Sequence, residues 1–203
     1  AAPPLRQGIR APVEDLQDRL IVPAFTIRTD RDQLVIDKLT ERFGELVAVE
    51  HRPSADAPKV VAGRTQGDLL VLHVRKTAIH DVLRHLRDEL DFNFLTLLGG
   101  MHHADRDMLG LVFHLHSMRN GHRIRLKTET PLKDPVFPTF TDLWPTANWM
   151  ERETWDFFGI SFSGHPDLRR ILNMEDFPAF PLRKDYPLED PTREDKDDSY
   201  FGR

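Results

Sequence analysis

The chain has 203 residues, 39% of them apolar and 30% charged, and carries a net charge of −5. It contains no cysteine, which excludes a disulfide, a thiolate zinc site, a cysteine-ligated iron–sulfur cluster and a cysteine nucleophile. The acidic balance disfavours non-specific binding to nucleic acid, and no stretch of 18 apolar residues is present to cross a bilayer as a helix.

Residues 1–11, rich in Pro, Ala and Gly, read as a mobile N-terminal segment. They lack the basic-then-apolar order of a secretory signal and, having no Met at their head, are expected to have been trimmed. Val13, Leu16 and Leu20 recur at helical spacing before Pro23, and "AFTIRTD" reads as extended. Asp30, with Gln33 three residues on, forms a capping-box pattern for a helix carrying Leu34, Val35, Leu39 and Phe43 and ending at Gly44. "ELVAVEH" alternates as a strand does, "HRPSADAP" is a loop, and "DLLVLHV" is a buried strand. Thr77 is the expected N-cap of a helix whose apolar face is Ile79, Val82, Leu83, Leu86 and Leu90. "FNFLTLL" is a further strand, closed by Gly99 and Gly100. "LGLVFHLHS" and "HRIRLKTET" alternate about Asn120-Gly121, the pair that favours a hairpin. The pattern predicts one α+β domain over residues 12–172, a two-layer arrangement of helices packed on a mixed or antiparallel sheet. Residues 173–203, with prolines at 178, 181, 187 and 191, many charges and no apolar period, form an extended tail that needs a partner to order it.

The densest chemistry lies in "ERETWDFFGISFSGHPDLRRIL", Glu151 to Leu172. A helix begins near Pro145 and stops at Gly159. Met150, Thr154, Phe157 and Phe158 share one side of it, extended by Trp155, whereas Trp149 falls outside that arc, so two covers are expected. Arg152 and Asp156 stand four apart, close enough to pair along the helix. Glu151 and Glu153 are two apart and do not face each other, which argues against a cooperating acid–base pair. After Pro166 a short helical turn is expected, with His165 as its cap or as a general base. Arg169 and Arg170 suit an interface or tail anchor better than a phosphate contact.

This stretch resembles the signature of the C-type, thirty-kilodalton subunit family of NADH-quinone oxidoreductase, the respiratory complex I. The matching residues are Glu151, Arg152, Glu153, Asp156, Phe157, Phe158, His165, Arg169, Ile171 and Leu172. The flanks "PTFTDLWPTANWMERE" and "PLRKDYPL" are similar to family sequence too, and a looser likeness runs from about Leu34. His102 and His103 depart from the apolar–acid pair expected there, and Ala179 stands where glycine commonly precedes "PLRKD".

The resemblance implies a subunit of the peripheral arm of a proton-translocating NADH:quinone oxidoreductase that binds no cofactor itself. Flavin (FMN), iron–sulfur clusters, NADH and quinone would be held elsewhere in the complex. It implies docking on the D-type subunit of complex I, with the B-type and I-type subunits nearby, and a peripheral place on the cytoplasmic side of the inner membrane, or its matrix side in an organelle. Glu151, Arg152, Glu153, Asp156, Phe157, Phe158, His165, Arg169 and Arg170 would then form a structural and interface network, and Arg183, Lys184, Asp185 and Tyr186 would clamp the tail on its partner.

Other readings compete. His114 and His116 alternate on one strand, His122 follows the turn, and His102 and His103 lie in what reads as a nearby loop, so with Asp105 they could ligate zinc in a metal-dependent enzyme. The equivalent subunit of an energy-converting hydrogenase or related dehydrogenase is a second alternative, and an assembly factor for the same scaffold a third.

Overall fold

The computed structural model describes residues 24–51 and 69–186. The N-terminal segment 1–11, the helix expected around Val13 to Leu20, the loop after His51 and the tail beyond Tyr186 lie outside the described residues. The elements run α1 (Ala24–Phe43), a short 3-10 turn (Gly44–Leu46), β1 (Val47–His51), β2 (Leu70–Val74), α2 (Ile79–Asp88) and β3 (Phe94–His103). There follow β4 (Met108–Ser117), β5 (His122–Pro131), β6 (Val136–Pro138), α3 (Ala147–Phe158) and β7 (Ser161–Ser163).

Five strands form one sheet in the order β1-β2-β5-β4-β3. The β1–β2, β4–β5 and β3–β4 pairs are antiparallel and β2–β5 is parallel, so the sheet is mixed, as the α+β reading predicts. The β4–β5 hairpin turns at Met118–Gly121, between the paired Ser117 and His122, and Gly121 takes the left-handed conformation there. The strands β6 and β7 pair in parallel beside α3 as a separate two-stranded ribbon.

Alternation places Leu72, Ile124, Leu126, Phe113, Leu115, Leu95 and Leu98 on one face of the large sheet, where they are buried with Val35 and Leu39 of α1 and Ile79, Val82, Leu83 and Leu86 of α2. The α2 stripe therefore behaves as its 3.6-residue period predicts.

Five local expectations are corrected. The stretch "AFTIRTD" is helical, and Asp30 lies inside α1 instead of capping it. Gln33 bonds forward to Asp37 at 2.6 Å and not back to a cap. Close by, Asp32 is buried against His122 Nε2 at 2.6 Å, a hydrogen bond that fastens α1 to the hairpin end of the sheet. Thr77 is not the N-cap of α2; Ala78 holds that position without a side-chain bond. β3 does not close at Gly99 and Gly100 but continues to His103, so His102 and His103 are strand residues and not loop residues. The helical turn expected after Pro166 is absent, because the backbone of residues 169–173 is engaged by side chains of α3.

The continuation of β3 has a packing reason. The Phe158 ring lies over Gly100, where an added Cβ would come within 2.4 Å of it. Interiors are close-packed, so a methyl group there must displace the ring or the strand. Gly100→Ala is expected to lower the stability of the full chain by about 1–3 kcal/mol, read as an earlier midpoint in urea unfolding. An unchanged midpoint would show that the contact between α3 and β3 is loose.

Candidate functional site

Helix α3 is bounded by Pro145 and by Gly159, whose left-handed φ of 70° ends it while its N–H still donates to Trp155 O. The aromatic arc expected to be its buried side is only partly so: Trp155, Phe157 and Phe158 are half-buried and Trp149 is 62% exposed. Apart from Ala147, the deeply buried side chains are polar ones, Glu151, Arg152, Thr154 and Asp156. Burying charge is costly unless each group is paired and hydrogen-bonded, and these groups meet that condition in two different ways.

Asp156 is fully buried and collects five donors. Arg170 Nη1 at 2.7 Å and Asn173 Nδ2 at 3.0 Å reach Oδ1, and the backbone N–H groups of Ile171, Leu172 and Asn173 reach Oδ2 at 3.1, 2.8 and 2.9 Å. Burial alone would raise its pKa; the bonds from Asn173, Leu172 and Arg170 outweigh that and hold the carboxyl well below the usual range. Arg170 then extends the network, donating through Nη2 to Phe177 O (2.6 Å) and Ala179 O (3.2 Å). Its guanidinium sits among the rings of Trp155, Phe177 and Phe180.

The helix-internal pair expected between Arg152 and Asp156 does not form. Arg152 instead donates to Arg169 O at 3.2 Å and Arg170 O at 3.1 Å, and lies over the Trp149 ring. Asp156 prefers Arg170 because the returning loop brings a guanidinium and three backbone donors to it together, which a helix neighbour cannot do.

Glu151 is fully buried without a cationic partner among the described residues. Its Oε1 accepts the Phe140 N–H at 2.6 Å and its Oε2 the Thr139 hydroxyl at 2.7 Å. Burial pushes its pKa to about 7, with Asp142 adding in the same direction and the bonds from Phe140 and Thr139 opposing it.

Residues 177–186 return to the end of α3. Leu182 N–H donates to Phe157 O at 3.2 Å, Arg183 Nε to Phe158 O at 2.6 Å, and Lys184 N–H to His102 Nδ1 at 2.8 Å on β3. Phe180 covers Gly159, where a Cβ would lie 2.6 Å from its ring. Asp185 and Tyr186 are exposed. His165 accepts the Asp167 N–H at Nδ1 and directs Nε2 to Asn148 O, so both ring nitrogens are engaged. Glu153 and Arg169 are exposed, Arg169 pairing with Asp167 at 2.9 Å.

Reasoning from the sequence missed Thr139, the Phe140 N–H, Asn173 and Phe180. Their contacts depend on how the chain returns to α3, and no local spacing signals them. The strand histidines do not converge. His114 accepts from Arg125 at 2.8 Å, His122 holds Asp32, His102 meets Lys184, and His103 lies 3.4 Å from Glu129. Among the described residues no group of three or more His, Asp or Glu side chains is placed to hold a metal ion. A cleft of about 480 Å³ between α1 and α2 is ringed by Arg42, Arg84, Asp81, Asp88 and Glu89. Its charges are already matched, Arg42 with Glu89, Arg84 with Asp81, and Asp88 with Arg87.

Comparison with known proteins agrees with the signature. Residues 72–192 match the family described as respiratory-chain NADH dehydrogenase, 30 Kd subunit. A protein of Roseiflexus castenholzii, named as the C-type subunit of NADH-quinone oxidoreductase, is 48% identical over 142 residues, covering 68% of this chain and 81% of that protein. The protein of the same name from Herpetosiphon aurantiacus is 46% identical over 143 residues, covering 69% and 83%. A solved trypsin-resistant fragment of Nqo5 superposes with a TM-score of 0.53 at 27% identity, covering 68% of this chain and 99% of the fragment. A chain of the membrane-bound sulfane sulfur reductase, an archaeal respiratory membrane complex, shares the fold with a TM-score of 0.61 at 24% identity, covering 77% and 85%.

Two stability measurements check the networks. Asp156→Asn leaves Arg170 buried without its counter-charge and is expected to cost about 3–5 kcal/mol; a loss below about 1 kcal/mol would show that the pair is dispensable. The stabilisation from Asp156, whose pKa is depressed on folding, is present above the ordinary carboxylate pKa and is lost as pH falls below it. Glu151 has the opposite sign. Its pKa rises from 4.5 to about 7 on folding, so between those values the folded state keeps a proton that the unfolded state releases. Stability therefore declines with rising pH across that window, by about 3 kcal/mol in all. Glu151→Gln is expected to flatten the dependence in urea unfolding at pH 5 and pH 8, and an unchanged slope would contradict the assignment.

Proposed function

The chain belongs to the respiratory-chain NADH dehydrogenase 30 kDa subunit family, and on that premise we propose that it is a cofactor-free structural subunit of the peripheral arm of a proton-translocating NADH:quinone oxidoreductase. It contributes no reacting group. Its part in electron transfer from NADH to quinone is to dock on the D-type subunit near the quinone site, with the B-type and I-type subunits as neighbours, while FMN, iron–sulfur clusters, NADH and quinone are bound by other chains. The subunit sits peripherally at the inner membrane, on its cytoplasmic side, or on its matrix side in an organelle. No described helix is long and apolar enough to cross a membrane.

One observation carries this reading. The buried charged side chains of the α3 region, Glu151, Arg152 and Asp156, are consumed in bonds within the chain, while the segments they organise expose large apolar ones: Trp149 at 62%, Leu172 at 65%, Met174 at 70% and Leu182 at 51%. Trp149 lies against Arg152, the Leu172 N–H is held by Asp156 and the Leu182 N–H by Phe157 O, so these side chains are presented on a rigid base. Exposed aromatic and aliphatic anchors beside polar groups are what a protein partner covers. Arg183, Lys184, Asp185 and Tyr186 lead from this base into the tail and would fasten it to the same partner. The fold shared with a sulfane sulfur reductase component supports a second reading, the equivalent subunit of a related energy-converting complex with another electron donor.

The test uses exposed positions that the fold does not need. A tagged chain with Trp149→Glu and Leu172→Glu is expected to unfold in urea as the unaltered chain does. From gently solubilised membranes it should recover at least ~10-fold less of the flavin- and cluster-bearing partners, since truncated anchors commonly cost about 2 kcal/mol or more. Undiminished recovery would place the interface elsewhere.

A further inference from the structure

The three described helices lie on one face of the large sheet; the other face carries a different chemistry. Residues paired across neighbouring strands point to the same side, so the register defines its cross-strand rows. One row runs Leu97, His114, Arg125, Val71; a second runs Phe94, His116, Arg123; a third runs Gly99, Val112, Lys127, His73. These alternate with the core residues, and no described helix packs on them, although Val71 at the β2 end is itself buried. Phe94 is 44% and Leu97 40% exposed. A register shift between Leu95 and Leu97 brings both onto this face, although they are three apart.

The charge of the face is opposite to that of the chain. Arg123, Arg125 and Lys127 occupy three successive outward positions of β5, in a chain whose net charge is −5. Lys127 is neutralised by Glu50. Arg125 donates to His114 Nε2, and neither Arg123 nor Arg125 meets a carboxylate among the described residues. His114 and His116 are held below their ordinary pKa by burial and then by Arg125 and Arg123 respectively, so they add no charge near neutral pH. What remains is a pair of arginines two residues apart on one strand, with side chains on the same face, flanked on the β3 side by Phe94 and Leu97.

We propose that this sheet face, on which no described helix packs, is a second docking surface, separate from the α3 base, and that its occupant is an acidic, partly apolar surface of another polypeptide of the same complex. The carboxylates of that partner would sit over Arg123 and Arg125, where bidentate geometry favours arginine. Its apolar side chains would cover Phe94 and Leu97. With the α3 base on one side and this face on the other, the subunit bridges two neighbours. The inference rests on the reading of the chain as a subunit of a larger complex, and the test separates the two.

A photo-crosslinking residue is placed at position 94 in one tagged full-length chain and at position 149 in another, each expressed in the native host and irradiated in the assembled complex. The proposal expects a crosslink from position 94 to another polypeptide within an acidic stretch. It also expects the yield to fall at least ~10-fold when Arg123→Glu and Arg125→Glu are added, since like charges set against each other at an interface repel, while the crosslink from position 149 persists. A crosslink from position 94 only to this chain's own residues 187–203, only to lipid, or to nothing, with position 149 still crosslinking, overturns the proposal and leaves the subunit reading intact. The absence of crosslinks from both positions counts against the subunit reading and takes this proposal with it.

Discussion

The arrangement of the last third of the chain depends on one buried carboxylate. Asp156 is fully buried and yet ionised because five donors converge on it, three of them successive backbone N–H groups and one a guanidinium. Such a carboxylate cannot be satisfied by its own helix, whose N–H groups are already used in the ladder. It therefore selects the conformation of the chain that returns to it. Residues 169–173 are held irregular by that demand, and Arg170 is fixed where it can bind the Phe177 and Ala179 carbonyls. Through Arg170 the start of the tail is tied to the helix, and Arg183 and Lys184 complete the attachment at Phe158 and His102.

Glu151 performs a related task at the other end of α3 under different electrostatics. It binds the turn at Thr139 and Phe140 but has no cation, so burial raises its pKa where the donors around Asp156 lower that group's. The helix is thus a spine: Glu151 fixes the turn ahead of it, Asp156 the loop behind it, and Phe158 seats it on β3 over Gly100. A segment dense in charge is in this way a structural lock.

Elements governed by local rules were legible in the sequence. The Asn120-Gly121 hairpin, the apolar stripe of α2 and the Pro145 and Gly159 bounds of α3 all follow from backbone preferences acting over a few residues. The parallel pairing of β2 with β5 is not local and leaves no such trace. The true start of α1 was hidden because Thr26 and Ile27 are β-branched and Asp30 imitates a cap, whereas the structure anchors that helix through Asp32 and His122, 90 residues apart. At the candidate site the signature residues were recognisable as a group, but the partners of the charges were not. The spacing of Arg152 and Asp156 suggests a helix pair, and only the returning loop reveals Arg170 and Asn173 as the groups that Asp156 holds.

The central claim is that these charged residues support assembly and not chemistry, and Arg152 tests it most directly. Arg152 bonds only carbonyls, at Arg169 and Arg170, and stacks on an exposed Trp149. The measurement is the NADH:quinone turnover of membranes carrying Arg152→Ala, expressed per assembled complex through the bound flavin. The account predicts fewer complexes with undiminished turnover in each. Complexes assembled in full number but slow in reducing quinone would contradict it and assign this region a direct role in the reaction.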